Sequence, residues 1–130
     1  MKLDDVVPWG RTLAEYMSMF DLSATDLSAK ILGCGDGPAS FNAEMTRLGH
    51  TVVSIDPVYR FTAEQIEQRV QATYETIISQ VRQNADRYVW QTFRDADELG
   101  QARLSAMADF LRDYGQVNWT GGICAKLCPI

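Results

Sequence analysis

The fold of this chain is decided by Lys30 to Tyr59, which has the sequence KILGCGDGPASFNAEMTRLGHTVVSIDPVY. Residues 29–32 predict a short buried strand, and glycines follow at alternate positions. Residues 51–55 are mostly β-branched and predict a second strand. The chain between them is long enough for one helix, so the segment 29–59 predicts a β–α–β unit with parallel strands.

The helix between the two strands is predicted from its start, its apolar face and its end. Pro38 suits the first helical turn, where an N–H group would be unpaired anyway. Phe41, Met45 and Leu48 recur at helical spacing and predict the face that packs inward. Gly49 follows that face and predicts a left-handed C-terminal cap.

The turn before this helix has the composition of a nucleotide-binding site. Gly35 and Gly37 would let the backbone approach a ligand closely, and free N–H groups of the helix would point at it. Asp56, 19 residues after Gly37 at the end of the second strand, is placed to accept hydrogen bonds from ribose hydroxyls. A dinucleotide fingerprint needs a third glycine, whose place here falls on Ser40 or Pro38. The spacing therefore favours S-adenosylmethionine over a dinucleotide.

Residues 31–41 and 54–59 resemble the first and second motifs of the class I S-adenosylmethionine-dependent methyltransferases, whose fold is Rossmann-like. The resemblance implies a methyltransferase with S-adenosylmethionine as cofactor, an unknown acceptor and no nameable catalytic base. It also implies a lid role for Tyr16, because N-terminal helices of such enzymes can cover the site. The cofactor-binding residues that the resemblance implies are Gly33, Cys34, Gly35, Asp36 and Gly37 for the methionyl part, Asp56 for the ribose, Pro57 next to it, and Tyr16 as the lid.

Two alignments with the first motif are open. Either Gly33 is the first of the family's three glycines, or it takes the place of the family's strand-end carboxylate and residues 35–39 form the glycine turn. We prefer the second alignment, because it gives the family's usual intervals to Gly49 and Asp56. The carboxylate that helps orient the methionyl amine is then missing, and Asp36 is too far into the turn to be expected to replace it.

Helices are predicted on both sides of the β–α–β unit. Apolar residues at spacings of three and four predict one amphipathic helix over residues 9–20. Residues 62–114 are predicted to be largely helical, with a capping box at Thr62 and Gln65, whereas residues 87–90 fit a helix or an extended segment. The predicted inward faces are Trp9, Leu13, Tyr16, Met17 and Phe20, then Ile66, Val70, Tyr74, Ile77 and Val81, then Leu99, Leu104, Met107, Ala108 and Leu111.

The predicted fold class is therefore α/β, a partial Rossmann-like unit extended by several long helices. Residues 1–116 are expected to be the N-terminal part of a Rossmann-like methyltransferase domain, and residues 117–130 an irregular tail. The later strands of the resembled family have no counterpart, which favours a truncated member, or else a small protein that pairs its strands with a second copy. Open sheet edges predict self-association or marginal stability in both cases.

Composition restricts the other functions. The net charge is -5 and the basic residues are scattered, which disfavours nucleic acid as a partner. No apolar run reaches the length of a membrane span, and the first residues do not resemble a secretory signal. Three cysteines without regular spacing predict reduced thiols in a cytoplasmic protein, and Cys124 and Cys128 with one remote histidine predict no metal site.

Two alternatives to the methyltransferase interpretation remain. The first is a non-enzymatic module that binds a partner or a second copy through its helices at residues 62–114. The second is a fragment of a dinucleotide-binding oxidoreductase. The missing later strands favour the first alternative, and the missing third glycine argues against the second.

Overall fold

The computed structural model describes residues 8–116 as a mixed α/β structure that is mostly helical. Two strands, β1 (Ile31–Cys34) and β2 (Val52–Ile55), pair in parallel, with Ile31 opposite Val52. The helices are α1 (Leu13–Phe20), α2 (Ala24–Leu27), α3 (Phe41–Arg47), α4 (Ala63–Gln83) and α5 (Ala96–Gln116), and 3-10 turns occupy Pro57–Arg60 and Ala85–Arg87. The mixed α/β class and the parallel pairing are confirmed, whereas the predicted tail at residues 117–130 lies outside the described residues.

The segment from β1 to β2 has the predicted order but different boundaries. β1 begins at Ile31 and is not buried as predicted, because no described element covers Leu32, which is 62% exposed. Pro38 lies in the turn before α3 rather than in its first helical turn. Gly37, with a φ of 56°, and Pro38 form a turn, and the helix begins three residues after Pro38.

The end of α3 confirms the role predicted for Gly49. Gly49 has a φ of 84°, its N–H donates to the carbonyl of Thr46 at 3.0 Å, and the N–H of His50 donates to the carbonyl of Met45 at 3.0 Å. These two bonds form a Schellman motif, which pairs the last carbonyls of the helix. Met45 is buried as predicted, but Leu48 is exposed because it is the C-cap residue beyond the buried face.

The first helix is shorter than predicted. It begins at Leu13, and Thr12 and Glu15 form a capping box at its start, so Trp9 precedes the helix. Phe20 and Met17 are exposed rather than packed inward. The predicted apolar face of α1 is wider than the buried one, because α1 contacts the rest of the structure mainly through a single helix, α3.

Helices α4 and α5 pack against each other. The capping box of Thr62 and Gln65 is confirmed at the start of α4. Of the predicted faces, Ile66, Val70, Ile77, Val81 and Met107 are buried, Tyr74, Leu99, Leu104 and Leu111 are half-buried, and Ala108 is exposed. The buried face of α5 also contains Arg103, Phe110 and Tyr114, so the predicted inward face is turned about the helix axis relative to the observed one.

No helix within residues 8–116 combines the length and the apolar character that crossing a membrane requires. The undecided residues 87–90 are the end of the second 3-10 turn and the start of an irregular segment that continues to Asp95.

Candidate functional site

A cleft of about 690 Å³ opens at the carboxyl ends of β1 and β2. Parallel strands commonly place ligands at this end, because the turns that follow the strands meet there. Of the residues predicted from the sequence, the cleft brings together Gly35, Asp36, Gly37, Asp56 and Pro57. We call it the strand-end cleft.

The two glycines of the turn have backbone conformations that favour glycine. Gly35 has a φ of 74° and Gly37 a φ of 56°, in the left-handed region. A Cβ atom on Gly35 would meet no described atom within 4 Å, and one on Gly37 would meet only Oδ2 of Asp56, at 3.8 Å. The backbone at these glycines is therefore open on the side where a side chain would stand, and a ligand can approach it closely.

Asp56 is bonded directly to the glycine turn. Its Oδ2 accepts a hydrogen bond from the N–H of Gly37 at 2.9 Å, and its Oδ1 accepts one from the N–H of Val58 at 2.8 Å. The interval of 19 residues in the sequence thus corresponds to a contact in the structure. Each carboxylate oxygen has a second lone pair, so Asp56 can also accept a hydrogen bond from a ligand hydroxyl.

Two tyrosines fix the turn after β2. Tyr59 is buried and donates its hydroxyl hydrogen bond to the carbonyl of Gly37 at 2.8 Å. The hydroxyl of Tyr114 in α5 donates to the carbonyls of Tyr59 at 2.8 Å and Phe61 at 2.6 Å. Both walls of the strand-end cleft are therefore held to the helical part of the molecule.

Asp36 is a buried carboxylate with two hydroxyl donors. It is 9% exposed, its Oδ1 accepts from the hydroxyl of Tyr16 at 3.0 Å, and its Oδ2 accepts from the hydroxyl of Ser54 at 2.6 Å. Ser54 in turn accepts from Nδ2 of Asn42 at 2.9 Å. Ser54 and Asn42 were not predicted to support the site, because single short polar residues on a strand and a helix form no recognisable motif.

The carboxylate of Asp36 occupies the space in which a side chain of residue 33 would begin. A Cβ atom on Gly33 would stand 2.7 Å from Oδ1 of Asp36 and overlap its Oδ2. The Asp36 carboxylate therefore lies at the end of β1, although residue 36 is inside the turn in the sequence. The positive φ of Gly35, which lies between β1 and Asp36, turns the chain back at this point.

The phenols beside these carboxylates are hydrogen-bond donors. Burial raises the pKa of Tyr16, and the negative charge of Asp36 raises it further. Burial also raises the pKa of Tyr59, with smaller contributions from Asp36 and Asp56. Both tyrosines therefore stay protonated at neutral pH, and neither is suited to act as a general base.

Three of the predicted site residues, Gly33, Cys34 and Tyr16, are not among the described residues that line the cleft. Gly33 and the exposed Cys34 end β1. Tyr16 stacks on Phe41 with ring centroids 4.4 Å apart, and its hydroxyl ties α1 to Asp36. The lid role of Tyr16 stays a prediction.

Other lining residues were missed from the sequence. The cleft is also lined by Pro8, Trp9, Pro38, Val58, Arg60, Phe61, Gln65, Ile66 and Arg69. The only signal for Arg60 and Phe61 was their position shortly after Asp56. The sequence predicts free N–H groups at the start of α3. The N–H of Ser40, the N-cap residue, is not free for a ligand, because it donates to the carbonyl of Arg11 at 3.0 Å.

Within residues 8–116, no three His, Cys, Asp or Glu side chains are grouped so that they could hold a metal ion. Cys124 and Cys128 lie outside the described residues.

The chain is similar to an uncharacterized protein of Methanocaldococcus jannaschii, with 31% identity over 115 residues. The match covers 88% of this chain and 52% of the relative, so the chain spans about half the length of the curated relative that it matches. No family model matches the chain, and no solved structure matches it significantly.

Proposed function

We propose that the chain binds S-adenosylmethionine in the strand-end cleft and forms the cofactor-binding part of a Rossmann-like methyltransferase. The observation that carries this proposal is the contact between Asp56 and Gly37, which joins the carboxylate after β2 to the glycine turn after β1. A volume of about 690 Å³ is in the range of ordinary small-molecule sites. The resemblance of residues 31–41 and 54–59 to methyltransferase motifs selects the cofactor.

The two carboxylates have different roles in this proposal. Asp56 accepts hydrogen bonds from the ribose hydroxyls with the lone pairs that Gly37 and Val58 leave open. Asp36 attracts the positively charged methionyl amine, although residue 33 is a glycine. Tyr16 and Ser54 hold the Asp36 carboxylate in one orientation. Pro57 and Phe61 supply apolar surface for the adenine ring.

Methyl transfer from a sulfonium needs little help from acidic or basic groups. The main requirement is that the acceptor atom lies in line with the methyl–sulfur bond, which is an effect of proximity and orientation.

Titration calorimetry with S-adenosylmethionine and S-adenosylhomocysteine tests the proposal. We expect Asp36→Asn, which is isosteric, to weaken S-adenosylmethionine binding by about tenfold, because it removes the charge that pairs with the amine. Asp97→Asn changes an exposed carboxylate of α5 outside the strand-end cleft and serves as the matched control. The absence of binding heat with both ligands would refute the proposal.

Asp56→Ala tests the ribose contact. This substitution removes the acceptor for the N–H of Gly37, so a thermal melt must show that the variant is still folded. Unchanged affinity in folded Asp56→Ala would contradict the ribose role. NAD is titrated in the same series, and preferential binding of NAD would favour a dinucleotide-binding oxidoreductase instead.

A partner-binding module is the second candidate, and exposed apolar side chains favour it. Phe20 on α1, Leu32 on β1 and Leu48 after α3 are each more than 60% exposed. Exposed apolar surface marks an interaction site where it is contiguous, and a two-stranded sheet leaves strand edges unpaired. Sedimentation velocity tests it: a concentration-dependent increase in mass supports self-association, and a single monomeric species at all concentrations contradicts it.

A further inference from the structure

A second cleft of about 590 Å³ is formed by α1, α4, α5 and the irregular segment at residues 88–95. Aromatic side chains from distant parts of the chain line it, namely Trp9, Tyr88, Trp90 and Phe93. We call it the aromatic cleft. Among the described lining residues it shares only Trp9 with the strand-end cleft.

The aromatic rings are held in defined positions. The indole N–H of Trp90 donates to the carbonyl of Ala85 at 2.8 Å, and the rings of Tyr88 and Trp90 have centroids 5.7 Å apart. The guanidinium carbon of Arg103 lies 5.7 Å from the centroid of Phe93. The cleft therefore offers several flat apolar faces, which suit a flat aromatic ligand.

Arg103 contributes a buried hydrogen-bond donor without a partner. The residue is 4% exposed, and its Nη1 donates to both carboxylate oxygens of Glu15 at 2.6 and 2.7 Å. Its Nε is buried and has no hydrogen-bond partner among the described residues. Since this Nε atom is buried, a ligand in the cleft does not reach it, and the Glu15 carboxylate neutralises the charge of Arg103.

The charges that line the aromatic cleft favour an anion. Arg11 and Arg103 each carry one positive charge and Glu15 one negative charge, which leaves one positive charge in excess. A carboxylate fits this excess and has the planar acceptor geometry that guanidinium N–H groups prefer. We propose that the aromatic cleft binds a small aromatic carboxylate, with its ring between the aromatic side chains and its carboxylate beside the guanidinium of Arg11. This assignment does not depend on S-adenosylmethionine binding.

The test uses 2-naphthoate as the probe and 2-naphthamide as its neutral match. Binding is followed by the indole N–H signals of Trp9 and Trp90 in ¹⁵N-labelled protein, which are assigned with Trp9→Phe and Trp90→Phe. We expect 2-naphthoate to shift both signals in a saturable way, with an affinity about tenfold higher than that of the amide. Equal binding of the amide, or no saturable shift up to about 5 mM naphthoate, would overturn the proposal.

Arg11→Gln tests the charge separately from the aromatic rings. Glutamine removes the positive charge that is in excess and keeps a polar side chain, so naphthoate affinity should fall by about tenfold. Arg82→Gln is the matched control, because Arg82 pairs with Asp97 on the exposed surface outside the cleft. Phe93→Leu, at a half-buried position of the irregular segment, removes one ring and should also weaken naphthoate binding. Unchanged affinity in Arg11→Gln, or in Phe93→Leu, contradicts the assignment.

Discussion

The strand-end cleft and the aromatic cleft are built from different parts of the chain. The part of the strand-end cleft that holds the predicted site residues consists of backbone groups and two short carboxylates, and Gly37, Asp56 and Tyr59 form a closed set of hydrogen bonds there. The aromatic cleft consists of large side chains, and its central ion pair joins Glu15 to Arg103, 88 residues apart. The shape of the first therefore depends on backbone conformation, and the shape of the second depends on the packing of helices.

This difference implies different responses to substitution. A change in the glycine turn should alter the strand-end cleft and leave the helical packing intact. A change in the Glu15–Arg103 pair should break the ion pair that links α1 to α5 and lower the stability of the whole structure. The following predictions test whether the two clefts respond separately.

The largest effect is expected from Glu15→Gln. Glutamine can keep the capping hydrogen bond to the N–H of Thr12 but leaves the buried Arg103 cation without its counter-ion. We expect the free energy of unfolding in urea to fall by about 3 kcal/mol, as for other broken buried ion pairs. Adding Arg103→Met should recover part of this loss. A loss below about 1 kcal/mol would show that the pair does not organise the aromatic cleft.

Gly33→Ala should have the next largest effect. The new methyl group overlaps the Asp36 carboxylate, which must leave its bonds with Tyr16 and Ser54. We expect about 2 kcal/mol of destabilisation and the loss of S-adenosylmethionine binding, measured by urea unfolding and calorimetry. Binding of 2-naphthoate should persist in the folded fraction.

The matched control for Gly33→Ala is Gly115→Ala in α5. There the new Cβ makes only an ordinary contact with Ala63 at 3.7 Å, so stability should be unchanged or slightly higher. If both alanine variants lose stability equally, crowding at Asp36 is not the cause.

Tyr16→Phe should have a moderate effect that is confined to the strand-end cleft. Phenylalanine keeps the stacking on Phe41 but removes the hydrogen bond to Asp36. We expect a loss of about 1 kcal/mol in thermal or urea unfolding. Tyr88→Phe in the aromatic cleft is the comparison, because Tyr88 is exposed, and its substitution should leave stability unchanged.

Asp113→Asn should have the smallest effect, and it is pH-dependent. Burial raises the pKa of Asp113 above its ordinary value of 3.8, and its buried Oδ2 has no hydrogen-bond partner among the described residues. A raised pKa favours the protonated folded form, so the contribution of Asp113 is complete below pH 3.8 and is lost as the pH rises through the folded pKa. The variant should gain roughly 0.5 kcal/mol at pH 7, allowing for solvent screening, and nothing at pH 3. An equal gain at both pH values would contradict this cause.

Short-range features were predictable from the sequence. The capping box of Thr62 and Gln65 and the left-handed Gly49 depend on residues within one helical turn, and both are confirmed. Asp56 was also placed correctly beside the glycine turn, because parallel strands bring their carboxyl ends together.

Long-range side-chain placements were not predictable in the same way. Asp36 reaches the end of β1 through the positive φ of Gly35, which sequence spacing does not reveal. Arg103 was not assigned to the inward face of α5, because arginine is seldom buried unless it is paired. Its partner Glu15 lies in another helix, and no local pattern connects the two residues.

The overlap of residues 33 and 36 has a consequence for how this site can change by mutation. One space at the end of β1 holds a single carboxylate, which comes either from position 36, as here, or from position 33. An exchange between the two arrangements therefore depends on the order of the substitutions. Gly33→Asp alone places its Cβ atom where the Asp36 carboxylate lies, whereas Asp36→Gly first removes that carboxylate. We therefore expect the two positions to be epistatic, so that the cost of a side chain at position 33 depends on the residue at position 36.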